Sequence, residues 1–151
     1  MLNKDFKEFI KLLNSRKVEY LIVGGYALAA HGHPRYTGDI DIWIDPVDKN
    51  IALVLDALKA FGFGELGISA ADLAAPKSVV QLGYPPARID LLSSIDGVNF
   101  AACFAKRVVM HIDQVDLPVI SVADFRANKL AVGRLKDLAD VEALDQRKDE
   151  T

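Results

Sequence analysis

The sequence predicts an α+β or α/β sandwich built on a small β-sheet. Amphipathic helical segments alternate irregularly with short apolar strands, and neither an internal repeat nor a linker divides the 151 residues. A chain of this length commonly forms one domain with a substantial hydrophobic core. We therefore expect a single domain over residues 1–151, ending in a charged tail from about residue 145 that frays.

Periodicity and capping signals predict the elements in the first half of the chain. Apolar spacing indicates a helix over 4–16, and an apolar strand over 18–23 ends at the pair Gly24-Gly25. A short helix over 26–31 and a loop over 32–38 lead to a strand over 39–45. Asp48 is placed to cap the next helix, and Gly62 lies where its C-terminal cap belongs.

The rest of the chain is predicted to contain two hairpins and four further helices. Ser69 can start a short helix, and Ser121 has the pattern of a capping box. The remaining predicted elements are strands over 78–82 and 87–92, a helix over 99–105, strands over 107–112 and 115–120, a helix over 121–132 and a last helix around 138–144.

Composition narrows the function classes. The apolar fraction is 51%, the charged fraction is 26% and the net charge is −3, which argues against a protein that coats nucleic acid. A single cysteine, Cys103, excludes an internal disulfide and fits a reducing compartment. No signal peptide or membrane-spanning run is visible. We therefore expect a cytoplasmic protein that has no membrane partner.

The most informative motif is a glycine pair followed by two closely spaced carboxylates. Asp39 and Asp41 are one residue apart on a predicted strand, so both side chains project from the same face. Gly24-Gly25 ends the preceding strand, where bare backbone N–H groups can face phosphate. Paired carboxylates can hold a divalent cation. The motif therefore suggests a site for a metal–nucleotide complex.

A third carboxylate, Asp90, lies in the middle of an apolar strand, where aspartate is disfavoured. It could pair with Arg88 on its own face or lie on an exposed edge strand. If Asp39, Asp41 and Asp90 converge, their repulsion requires a compensating cation, for which Mg²⁺ is the natural choice with oxygen ligands. Trp43 shares the face of the carboxylates and could either stack on a base or pack in the core.

These residues resemble the signature of the DNA polymerase β-type nucleotidyltransferase superfamily. More narrowly, the chain is similar to small bacterial proteins grouped with the abortive-infection nucleotidyltransferase toxins, which act in toxin–antitoxin systems. The segments that carry the resemblance are 24–32, 35–44, 79–83, 88–92 and 128–140.

The resemblance implies an α+β nucleotidyltransferase fold like that of polymerase β, with helices packed against a small mixed β-sheet. It also implies a role for each matching position. Gly24 and Gly25 would contact the triphosphate of a bound nucleotide, such as ATP, and Asp39, Asp41 and Asp90 would hold Mg²⁺ and serve as the catalytic carboxylates. Two basic residues, Lys129 and Arg35, would contact phosphate. Arg35 could instead pair with one of the acids. We expect Lys129→Ala to weaken triphosphate binding with little loss of stability.

The predicted function is that of a magnesium-dependent nucleotidyltransferase, an enzyme that moves a nucleoside monophosphate from a nucleoside triphosphate to a hydroxyl of RNA or protein. The alternative is a non-catalytic module that binds a nucleotide or a partner and retains the fold. The 151 residues leave little room for a domain that selects the acceptor. This favours the alternative, or an enzyme that a partner protein or self-association completes.

Overall fold

The computed structural model describes residues 2–33 and 38–150, within which six strands form one mixed sheet. The spatial order is β3-β4-β2-β1-β6-β5. The β2–β4 and β1–β6 pairs are parallel, and the other neighbouring pairs are antiparallel. The strands are Tyr20–Val23 (β1), Asp39–Ile44 (β2), Val79–Leu82 (β3), Arg88–Leu92 (β4), Val108–Ile112 (β5) and Val115–Val119 (β6). The mixed α+β architecture predicted from the sequence is confirmed.

Helices cover the sheet and begin at residues suited to capping. Ser69 and Ser121 both accept a hydrogen bond from the backbone N–H three residues later. Asp48 is instead the first residue of its helix and makes no side-chain cap, so its predicted capping role is wrong. The helices are Lys4–Ser15 (α1), Gly24–Ala30 (α2), Asp48–Ala60 (α3), Ala70–Ala74 (α4), Phe100–Ala105 (α5), Val122–Val132 (α6) and Leu135–Glu150 (α7), with a short 3-10 turn at Gly64–Leu66.

The central strand β2 shows how the sheet separates the core from the site. Its isoleucines are almost completely buried, whereas the two aspartates on the opposite face are half-buried. Trp43 shares the aspartate face but is only 2% exposed, and its ring meets Phe100 of α5 edge to face at 5.1 Å between ring centres. Trp43 is therefore a core residue, and a base-stacking role is not supported.

Two helices differ from the sequence prediction in their bounds. Helix α2 begins at Gly24 itself, directly after β1, and not at the predicted start at Tyr26. Helix α7 runs from Leu135 to Glu150, beyond the predicted bounds of 138–144 at both ends. In the part of the chain that is described, no helix combines the length and the apolar character needed to cross a membrane.

Candidate active site

Parallel pairing of β2 with β4 brings the three predicted carboxylates onto one face of the sheet. Asp41 lies opposite Asp90, and Asp39 lies opposite Arg88. Because β3 covers the outer side of β4, Asp90 is on an interior strand and is only 6% exposed. The edge-strand alternative for Asp90 is therefore wrong.

Arg88 forms a bridge between two of these carboxylates. Its Nη2 atom lies 2.8 Å from Oδ2 of Asp39, and its Nε atom lies 2.8 Å from Oδ1 of Asp90. A further hydrogen bond of 3.1 Å joins Nη2 to the second oxygen of Asp90. Pairing of Asp90 with Arg88, which the sequence left as an alternative, is present in the structure. We call Asp39, Asp41, Asp90 and Arg88 the acidic cluster.

Asp41 is the member of the acidic cluster that has no ion-pair partner among the described contacts, and its pKa is raised to about 6. Burial is the largest cause, followed by the nearby carboxyl of Asp90 and then by Asp39. Lys129 acts in the opposite direction and favours the charged form of Asp41. This corner of the cluster is therefore short of positive charge.

Gly24 leaves the space that the carboxylate of Asp41 occupies. The backbone φ of Gly24 is +67°, which favours glycine. A Cβ atom built on Gly24 would overlap Oδ2 of Asp41 and would lie 3.1 Å from its Cγ. Glycine is therefore required at this position both by the backbone and by the contact with the acidic cluster.

A second charged group lies where α6 meets α7. Asp137 is completely buried, and its carboxylate accepts hydrogen bonds from Lys129 at 3.2 Å and from Nε of Arg134 at 2.7 Å. Although burial opposes ionisation, these two cations hold the pKa of Asp137 below its usual value. Lys129 is itself only 8% exposed and lies 5.3 Å from the ring centre of Phe125. We call Lys129, Arg134 and Asp137 the basic cluster.

A small open cavity of about 210 Å³ lies between the acidic and basic clusters. Gly24 and Asp41 line it together with Lys129 and Arg134. The amide of Asn128 donates to the backbone carbonyl of Asp96 at 2.9 Å, which ties α6 to the loop after β4. The cavity is lined by Val23, Gly24, Asp41, Leu92, Ser94, Ile95, Asp96, Asn128, Lys129, Val132 and Arg134.

The oxygen donors of the acidic cluster suit a hard cation, and the crowding around Asp41 is of the kind that a cation relieves. Their present arrangement is a set of ion pairs with Arg88. Across residues 2–33 and 38–150, no group of three or more histidine, cysteine, aspartate or glutamate side chains is already arranged to hold a metal. The residues therefore fit Mg²⁺ by chemistry, whereas their geometry must adjust to it.

The other residues that the sequence singled out do not belong to the acidic or basic cluster. Gly25 lies in the first turn of α2, next to Gly24, and Arg35 falls outside the described residues. His31 bonds the backbone carbonyl of Ile120 at 2.7 Å. Cys103 is buried, and burial and the neighbouring Asp124 raise the pKa of its thiol to about 11, as expected of a structural thiol.

Sequence reasoning missed two roles in these clusters. The contact of Arg88 with Asp39 follows from the pairing of β2 with β4, for which the sequence offers no local signal. Burial of Asp137 between two cations depends on how α6 packs against α7. The spacing of Arg134 and Asp137, three residues apart, does indicate the ion pair that they form.

Together, the mixed sheet, the acidic face and the glycine that opens α2 are those of a nucleotidyltransferase-type fold. In agreement, the crystal structure of a proposed nucleotidyltransferase from Thermotoga maritima superposes with a TM-score of 0.57, covering 97% of this chain and 91% of that one at 15% identity. Residues 2–148 match the family described as nucleotidyltransferase of unknown function (DUF6036), and the chain belongs to this family. Among proteins with curated functions, none matches the sequence significantly.

Proposed function

We propose that this protein is a magnesium-dependent nucleotidyltransferase that transfers a nucleoside monophosphate from a nucleoside triphosphate to a hydroxyl group. The observation that carries the proposal is the juxtaposition of Asp41 with Asp90, beside a cavity that Lys129 and Arg134 also line. Carboxylates on one side suit a cation, and ammonium and guanidinium groups on the other suit phosphate. Membership of the family and the fold support the same reaction class.

In the proposed reaction, Asp39, Asp41 and Asp90 hold the metal ion. Mg²⁺ would supply charge neutralisation at the triphosphate and would make an acceptor hydroxyl easier to deprotonate. Asp90 accepts the proton of that hydroxyl as its oxygen bonds to the α-phosphorus. The bond from the α-phosphorus to the bridging oxygen breaks, and pyrophosphate leaves with the electron pair.

The remaining residues bind and orient the triphosphate. Lys129 presents its ammonium group at the cavity wall and is held there by Asp137. Arg134 is the more exposed of the two cations, so its side chain can move toward a ligand that is bound in the cavity. Gly24 and Gly25 offer backbone close to Asp41 without a side chain at Gly24 to exclude the ligand. Arg35 is proposed as a further phosphate contact from its position in the sequence just before β2.

A transfer assay tests the proposal directly. Each of the four α-³²P-labelled ribonucleoside triphosphates is incubated with the protein, Mg²⁺ and either total RNA or total protein from a bacterial lysate. We expect label to enter one acceptor class and to require both Mg²⁺ and Asp41. Asp41→Asn should abolish transfer, whereas Asp56→Asn, at a surface ion pair with Arg16, should leave it unchanged.

A binding assay separates the enzyme from the non-catalytic alternative. Mg²⁺ with a non-hydrolysable triphosphate should raise the melting temperature by several degrees, since a ligand at a hundredfold excess over its Kd stabilises by about 2.7 kcal/mol. A rise without transfer to any acceptor would favour the binding module. A partner protein or a second copy that restores transfer would instead show that the enzyme needs completion.

The proposed biological setting is the cytoplasm, in a toxin-like role related to the abortive-infection branch. A toxin that modifies an essential RNA or protein should arrest growth when it is expressed. We expect expression of the wild type in a bacterial host to slow growth and expression of Asp41→Asn to have no such effect. Equal growth of both strains, at matched protein levels, would contradict the toxin role.

A further inference from the structure

Arg88 lies where it can act as the counter-ion of the acidic cluster. Its guanidinium is bonded to Asp39 and doubly to Asp90, with distances of 2.8, 2.8 and 3.1 Å. The side chain is 25% exposed, so it has a path toward solvent. Arg88 therefore holds two of the three proposed metal ligands through oxygens that a cation would also use.

The same contacts limit what these carboxylates can do. The two oxygens of Asp90 both accept from Arg88, and Oδ2 of Asp39 accepts from the same guanidinium. Charge-assisted hydrogen bonds of this length are strong and fix the planes of both carboxylates. This is consistent with the absence of a ready-made metal arrangement in residues 2–33 and 38–150. A cation that binds here must displace at least part of the guanidinium.

We infer that Arg88 is an internal competitor of the divalent cation: it occupies the carboxylates when the metal is absent and must leave Asp90 when the metal binds. The inference rests on the proposed function, since it takes Asp39, Asp41 and Asp90 as the metal ligands. Departure of Arg88 would also free the oxygens of Asp90 to accept the proton of an acceptor hydroxyl. Metal binding and the ability of Asp90 to accept a proton would then be coupled through the side chain of Arg88.

Calorimetric titration with Mg²⁺ alone tests this competition without any measurement of activity. Arg88→Gln removes the competing charge, so we expect it to bind Mg²⁺ about tenfold more tightly than the wild type. Arg88→Lys keeps a charge but cannot reach both carboxylates with one planar group, so an intermediate affinity is expected. Arg126→Gln is the matched control, because it breaks a similar but exposed pair with Asp145 outside the acidic cluster.

A measurement on the wild-type protein covers the case in which Arg88→Gln does not fold. The Nε–H group of Arg88 donates to Asp90 at 2.8 Å and should give a ¹⁵N resonance that exchanges slowly with solvent. The resonance is assigned by its loss in Arg88→Lys. Saturating Mg²⁺ should accelerate this exchange at least tenfold, whereas the Nε–H of Arg126 should not respond.

The outcomes distinguish this inference from the proposed function. Wild-type binding of Mg²⁺ that is lost in Asp41→Asn, together with tighter binding by Arg88→Gln, supports both. If the wild type binds Mg²⁺ but Arg88→Gln binds equally or more weakly, Arg88 supports the metal site and the inference is overturned while the proposed function stands. Protection of the Arg88 Nε–H that persists at saturating Mg²⁺ overturns it as well. If no variant binds Mg²⁺ at millimolar concentration, both fail.

Discussion

Asp41 of the acidic cluster lines the same cavity as the two cations of the basic cluster, and the two clusters have opposite balances of charge. The acidic cluster has three carboxylates for one guanidinium, and Asp39 and Asp41 are half-buried. The basic cluster has one carboxylate for two cations, and that carboxylate is completely buried. The first is therefore short of positive charge at the surface, and the second is anchored to the core by its anion. Such a pair complements a ligand that brings a cation and an anion together.

The largest expected effect tests the anchoring of the basic cluster. Lys129→Met should lower the free energy of unfolding by about 3 kcal/mol, because it leaves the buried Asp137 with one partner instead of two. This revises the sequence-based expectation that a substitution of Lys129 would cost little stability. Urea denaturation measures the change. The double variant Lys129→Met/Asp137→Asn should recover most of it, and a loss below about 0.5 kcal/mol, the size of a surface effect, would refute the anchoring.

The next effect tests the close contact between Gly24 and the acidic cluster. Gly24→Ala should destabilise by about 2 kcal/mol, because alanine is strained at a φ of +67° and its Cβ must displace Asp41. Gly62→Ala is the control, since Gly62 has a φ of +98° and a Cβ added there would meet nothing within 4 Å. Both variants should have a lower melting temperature than the wild type, but only Gly24→Ala should lose the rise in melting temperature that Mg²⁺ causes. An equal Mg²⁺ response in both would show that the contact with Asp41 is unimportant.

Stability measured over a range of pH tests the shortage of positive charge in the acidic cluster. The pKa of Asp41 rises from 3.8 to about 6 on folding, so the folded state binds its proton more tightly than the unfolded state. Wild-type stability from this group is therefore highest at low pH and is lost as pH rises between these two values. At pH 8 Asp41→Asn should be more stable than the wild type by about 1.5 kcal/mol. This is half of the free energy that corresponds to the pKa shift, because asparagine retains part of the cost of burial. The difference should vanish at about pH 5 and reverse at lower pH, where the protonated wild type is the more stable, and a constant difference across the series would contradict the charge argument.

The smallest effect compares the two cations of the basic cluster. Arg134 has 58% of its side chain exposed, against 10% for Lys129, although both contact Asp137. Arg134→Gln should therefore cost only about 0.5 kcal/mol in urea denaturation, because solvent screens an exposed ion pair. Its affinity for a triphosphate should nevertheless fall, since the lost charge lines the cavity. A stability loss as large as that of Lys129→Met would mean that both cations are structural.

Much of the fold could be predicted from the sequence because its signals are local. The alternation of aspartate and isoleucine in 39–44 defines β2, and the turn residues Asp113 and Gln114 adopt the positive φ values of a tight hairpin. The sequence places the start of α2 two residues late, because a glycine pair usually precedes a helix and here opens one. The end of α7 is not predictable in the same way, because a charged sequence without a clear apolar stripe gives little periodicity.

The parts of the candidate site that depend on the spacing of residues along the chain could be predicted from the sequence. The parts that depend on tertiary packing could not. Asp39 and Asp41 share a face because strand side chains alternate. Their meeting with Asp90 follows from strand order, and the sequence could only suggest it through an aspartate in an apolar strand. The partners Arg88 and Asp137 emerge once β2 lies beside β4 and α6 beside α7. These tertiary contacts decide which charges are engaged and which remain to meet a ligand.

The pairing of β2 with β4 affects the order in which the candidate site assembles during synthesis on the ribosome. Asp41 and Asp90 become neighbours only through a parallel pairing of distant segments, and Lys129 follows later still in the chain. Long-range strand pairing forms slowly compared with local helices and hairpins. A nascent chain that has emerged only as far as β2 therefore carries the Asp39-Ile40-Asp41 motif without any site. Assembly of the acidic cluster therefore waits until β4 has emerged, and the part of the cavity wall that Lys129 supplies waits for α6.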